Sequence, residues 1–368
     1  MNCASRLKVR AALGLVAAVS LAACQKHGAP PKPYVAFVAN QGSRSVAVVD
    51  LGTFSLEKVV ELRQHPELIE RRPHSRDLYV AGDAGLDTLG YPSLQLTGRW
   101  NFPGGVSSLT FSADGSRAFL VEEQDGKIVI FDCKARRRIA VLRSPAGITD
   151  LALTPDGKTL VGESGSKDLI YFIDPQTQQI LGSAKTGRDP GSMVISPENS
   201  KVYVADTGEN LITVADIPAR ALLTQLEISD PPTLLILKPD GGEVFALSAS
   251  GTRMTILDAT QATVEQMEST GHDPVAAVFT RDSSRFYWAN KGDGTLSSMD
   301  VSTRQVLAST RVGVSPQALA LTPDGRFLIV ADGGSSSVEV VEAASTRLLT
   351  TIPVGAQPVS IIIPGWQE

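Results

Sequence analysis

One pattern of strands and turns recurs about every 42 residues from Tyr34 to Pro364, and a chain built this way has few folds open to it. Its sharpest marker is a turn reading Thr154-Pro155-Asp156-Gly157 and Thr322-Pro323-Asp324-Gly325, with close variants Ser112-Ala113-Asp114-Gly115 and Lys238-Pro239-Asp240-Gly241. Weaker forms stand at Ser196-Pro197-Glu198-Asn199, Thr280-Arg281-Asp282-Ser283 and Arg72-Pro73-His74-Ser75. A unit of this length cannot bury its own apolar faces, so neighbouring units must stack.

Residues 191 to 232 show the unit in detail. Met193-Val194-Ile195 is a short apolar strand, and Pro197-Glu198-Asn199 turns the chain. Lys201 to Asp206 follows, rich in the β-branched and aromatic residues that suit a pleated surface. Leu211 to Asp216 and Ala221 to Ile228 supply two more strands. Four short strands with turn signals between them predict an antiparallel meander, the blade of an all-β propeller. We name these strands A to D. The repeats begin on a B strand, Val35 to Asn40, and stop on an A strand, Val359 to Ile363. The last strand should therefore complete the first blade, which removes the open sheet edges that invite aggregation. This count favours eight blades. Seven would follow if one repeat were spurious, and the weakest is the second, where Leu86-Asp87-Thr88-Leu89-Gly90 is a poor C strand.

Several segments carry a family resemblance: Tyr203-Val204-Ala205-Asp206, Tyr287-Trp288-Ala289-Asn290, Val46-Ala47-Val48-Val49-Asp50 and Gly355-Ala356-Gln357-Pro358. With the Pro-Asp-Gly turns they resemble the YVTN β-propeller repeat across about nine-tenths of the chain. The resemblance implies a fold and no single activity, because many functions share it. More distantly the chain is similar to eight-bladed haem d1 propellers and seven-bladed lactonase propellers, without a matching catalytic motif of either. Trp-Asp blade endings are absent, and with three tryptophans the chain lacks the tryptophan-docking repeat of quinone-dependent dehydrogenases.

Ahead of the repeats, Arg6, Lys8 and Arg10 precede a short apolar run from Ala11 to Leu21. That run falls well below the ~20 residues needed to span a bilayer and reads as an export signal. It ends in Leu21-Ala22-Ala23-Cys24, which resembles a bacterial lipobox. The resemblance implies cleavage after residue 23, lipid on Cys24 and, with Gln25 following, the outer membrane. The expected organisation is a signal at 1–23, a lipidated Pro-rich tether at 24–33, the propeller at 34–364 and a tail at 365–368. Loss of the three basic residues takes the net charge from −5 to about −8. An acidic mature chain argues against nucleic acid, whose binding needs basic surface. Cys133 is then the only cysteine left free of lipid, so no intrachain disulfide is expected. The strand pattern around it reads as an inert residue at a blade margin.

Strand alternation places the D–A and B–C loops on one face, the top, and the A–B and C–D turns on the other. The repeated turn acids, with Asp50, Asp132, Asp174, Asp216, Asp258 and Asp300 ending the C strands, belong to the bottom and read as turn chemistry. The top loops differ from blade to blade, as binding loops do. Asp189, Asp230 and Asp273 share one column there, beside Arg188, His272 and, further round, His65. These residues are the candidate ligand or partner site. Their chemistry admits a cation, and the imidazoles suit iron, copper or zinc, so haem or a divalent cation is the cofactor that would fit. The competing reading is that Asp before Pro initiates a turn. No nucleophile elbow, phosphate loop or zinc motif is present. The expected function is a lipid-anchored, periplasm-facing binding or scaffold module for an envelope protein or small ligand at the channel mouth. The alternative is a haem-handling or lactone-hydrolysing propeller.

Overall fold

The computed structural model describes residues 34–142 and 147–365. The signal, Cys24 and its tether, Ser144, and residues 366–368 lie outside the described residues. Thirty-two strands form eight four-stranded antiparallel sheets, and no helix occurs among the described residues. The sheets stand in a ring as an eight-bladed propeller. Blades II to VIII span 66–101, 106–142, 150–185, 190–227, 234–269, 274–311 and 316–353.

Blade I is assembled from both ends of the chain. Its A strand is Pro358–Ile362, and its B, C and D strands are Val35–Asn40, Ser45–Asp50 and Ser55–Glu61. Phe37 pairs with Ile362, Val38 with Ile361 and Ala39 with Ser360. The Ser360 hydroxyl also accepts a bond from the Ile69 amide of blade II, so the closing strand is tied to two blades. The weak second repeat is a full blade. Its C strand is Gly85–Gly90, and the buried Asp87 makes a bidentate pair with Arg99 at 2.6 and 3.0 Å.

The core lies between blades. Each of eight apolar clusters draws on two neighbouring blades, as where Phe37 and Val48 of blade I meet Leu78 and Val80 of blade II. B strands are buried throughout, D strands form the exposed rim, and A strands are half-buried towards the central channel. Tyr203 donates its hydroxyl proton to the Ala259 carbonyl of blade VI, and Tyr287 does the same to Ala343 of blade VIII at 2.9 Å. The Tyr of the repeat is thus an interblade tie. In blade II the same position, Tyr79, meets Cys133. This cysteine is buried in the interface with blade III rather than placed at a margin, and burial pushes its thiol pKa up.

Candidate functional site

Backbone hydrogen bonds fix which loops share a face. Thr207 donates to the Asp189 carbonyl and Lys291 to Asp273, joining B–C loops to D–A loops at the top. Ile217 donates to Ser200 and Tyr91 to Arg76, joining C–D turns to A–B turns at the bottom. The bottom acids do the turn work expected of them. Asp50, Asp174, Asp258 and Asp300 each accept two backbone amides within three residues, and Asp132 and Asp216 each accept one.

The top face is stiffer than its sequence variety implies. Residues ending the B strands, which open the variable loops, are buried: Asn40, Asp206, Asn290 and Asp332 are at most 1% exposed. Asp332 accepts the amides of Val314, Ser315 and Gly334, and so clamps a D–A loop to a B–C loop. The six candidate residues are likewise tied to nearby loops. Arg188 pairs with Glu209 at 2.8 Å, the Ser229 hydroxyl donates to Asp230, and the Asp189 amide donates to Asp168. Asp189 and Asp273 have φ of 49° and 53°, a left-handed conformation that aspartate tolerates better than most residues. Among the described residues no hydrogen bond or ion pair joins Arg188, Asp189, Asp230, His272, Asp273 and His65 to one another.

The two histidines differ. The Arg44 Nε–H donates to His65 Nε2 at 2.9 Å, so the His65 proton is on Nδ1 and goes to the Gln41 carbonyl. Both ring nitrogens are engaged. His272 Nδ1 lies 2.9 Å from Asp293 Oδ1, and the ring is 70% exposed. The bonds from His272, backbone amide first, hold the Asp293 carboxyl below its usual pKa. His272 Nε2 has no partner among the described residues and faces outward. A carboxylate that orients an imidazole in this way raises its basicity towards a metal. No group of three or more His, Cys, Asp or Glu among the described residues is placed to hold a metal ion.

A cavity of about 800 Å³ opens on the opposite face. Its described wall is Tyr34, Arg71, His74, Ser75, Arg76, Arg281, Pro323 and Gly365, drawn from blades I, II, VII and VIII. Most of these residues directly follow an innermost strand, so the cavity sits at the bottom mouth of the channel. Among the described residues the wall carries three guanidiniums and an imidazole, and no carboxylate side chain. The sequence does carry a signal for it, in departures from the repeat. His74 stands where other turns have Asp156 or Asp324, and Arg281 where they have Pro155 or Pro323. Arg71 pairs with Leu78 at the strand position filled elsewhere by Phe111, Leu153, Ile195, Leu237, Phe279 and Leu321.

No protein-family model and no curated protein sequence matches the chain. Solved structures do. A dihydro-heme d1 dehydrogenase, NirN, in complex with DHE has a TM-score of 0.76 at 14% identity, over 92% of this chain and 76% of that one. Apo AztD from Citrobacter koseri has a TM-score of 0.69 at 13% identity, over 90% and 98%. Hydrazine synthase from Kuenenia stuttgartiensis has 0.58 at 19% identity, over 74% and 92%. At these identities the likeness is one of fold.

Proposed function

We propose that this propeller is a ligand-binding module of the bacterial envelope, held by lipid on Cys24, whose ligand seats over the bottom mouth of the central channel. One observation carries the reading: the 800 Å³ cavity lies at that mouth, within the ~300–1,000 Å³ range usual for small-molecule sites. Three of its wall residues, Arg71, His74 and Arg281, break the repeat, which turn geometry alone does not call for. The similar dehydrogenase in complex with DHE supports a small-molecule role for this architecture. The resemblance of Leu21-Ala22-Ala23-Cys24 to a lipobox supports an envelope location for the same module. Native mass spectrometry of the purified protein tests the site. The wild type should carry a bound small molecule that Ser75→Trp, which fills the cavity, displaces. The top-face triple variant Asp189→Ala/Asp230→Ala/Asp273→Ala should retain it. The reverse pattern would move the site to the top loops.

Haem handling is a second reading, favoured by His272, whose ring is oriented by Asp293 and whose Nε2 has no partner among the described residues and would be the group to hold haem. Haem bound there would supply a redox-active iron. Titration with haem should then give a Soret shift that His272→Ala removes and His65→Ala leaves unchanged. An identical spectrum for all three proteins would end this reading.

A further inference from the structure

We infer that the bottom-mouth cavity selects an organic polyanion, a small molecule bearing at least two carboxylate or phosphate groups. The inference rests on the binding reading above and names the ligand class of that site. Several arginines elsewhere on this face are spent on the protein. Arg72 donates to the Gly115 carbonyl and pairs with Asp77, Arg117 donates to the Pro175 carbonyl, and Arg304 pairs with Glu243. Arg76 and Arg281 differ: the guanidinium of neither has a hydrogen-bond or carboxylate partner among the described residues, and both are exposed at the cavity. A guanidinium presents a planar fork that matches carboxylate and phosphate oxygens two at a time.

Position sets the number of anionic groups. Arg71 and Arg76 belong to blade II and Arg281 to blade VII, with blades VIII and I between them. A ligand that engages both sides must span the mouth and carry charge at both ends. The volume far exceeds that of a lone phosphate ion, and Tyr34 and Pro323 offer apolar wall to an organic frame. The sign of the site also opposes that of the chain, which is −5 overall. An acidic protein that exposes the guanidiniums of Arg76 and Arg281 at this mouth focuses anions there and repels them elsewhere.

The test is calorimetric titration of the full chain at low ionic strength with citrate, pyrophosphate, inorganic phosphate and, as uncharged control, glycerol. Citrate or pyrophosphate should bind at least about tenfold more tightly than inorganic phosphate, and glycerol should not bind. Arg76→Gln and Arg281→Gln should each weaken the polyanion by about tenfold, and the double variant by about a hundredfold, with unchanged melting temperatures. Binding should weaken with added salt. If no polyanion binds the wild type, or if the double variant binds as the wild type does, the inference is overturned. Its failure is separable from failure of the binding reading. A neutral or cationic molecule that Ser75→Trp displaces would keep the site and refute its anionic chemistry. Bound mass and anion binding that both survive Ser75→Trp would refute the site itself.

Discussion

At position 313 no side chain fits. A Cβ on Gly313 would lie 1.4 Å from Asp332 Oδ2, and the residue has φ of 152°. Gly187 meets Asp206 in the same way at 2.8 Å. The glycine of each Gly-x-x-Pro stretch is therefore set by the buried polar residue that clamps the next loop. Gly313→Ala should cost about 2–4 kcal/mol, because Asp332 must move and free the amides it satisfies. A melt close to that of the wild type would contradict this clamp. Buried carboxyls also shape the pH response. Desolvation raises Glu163 to about 8, Glu70 and Glu339 to about 7, and Asp206 to about 6. A carboxyl with a raised folded-state pKa gives stability that is complete below its unfolded pKa and is lost as pH rises through the folded one. Turn acids act oppositely. Hydrogen bonds from Ser112 and from Thr280 lower Asp114 and Asp282 to about 2, so their contribution is lost as pH falls below about 4. Melting temperature should peak near pH 5 and decline towards pH 8. Glu163→Gln should flatten the alkaline decline, and a profile flat from pH 5 to 8 in the wild type would refute the assignment.

At the scale of strands, the closing pair carries the ring. Deleting residues 358–368 removes the partner of Phe37, Val38 and Ala39 and leaves Ile69 and Val338 beside a gap. A newly freed edge on Val35–Asn40 and exposed core should cause aggregation or a large loss of stability. A truncated protein that melts with the wild type would show that the interface between blades VIII and I holds without strand exchange. The interblade tyrosines act by a smaller, local increment. Tyr203→Phe and Tyr287→Phe each leave a buried carbonyl without its hydroxyl donor, and each should cost about 1 kcal/mol in denaturant melts. The two sites lie in different interfaces, so the costs should add.

At the scale of the molecule, eight similar blades make the framework and exceptions among them line the proposed site. Because each apolar cluster spans two blades, no blade can fold to its full burial alone, and the ring should unfold cooperatively. The lipid anchor is a proposal at this scale too. Cys24→Ser should move the protein from the membrane fraction to the soluble periplasm. Wild-type protein that is already soluble and carries no lipid by mass spectrometry would refute it.

The sequence by itself determined the architecture. A 2-residue strand period, turn acids at fixed offsets and repeats that run from a B strand to an A strand point to a closed propeller, since each is a local rule repeated, while the choice of eight blades over seven fell to the structure. It also determined the role of the turn aspartates, whose bonds reach only two or three residues along the chain. One feature was legible only as an irregularity: Leu86 to Gly90 reads as a poor C strand because Arg99, the partner of Asp87, acts across the sheet. Tertiary structure alone decided that Arg71, Arg76 and Arg281, some 200 residues apart at the extremes, share one mouth, and that the top-face candidates are tied to nearby loops. Ring closure sets which blades face one another, and no local pattern along the chain encodes the distance between side chains that meet only across that ring.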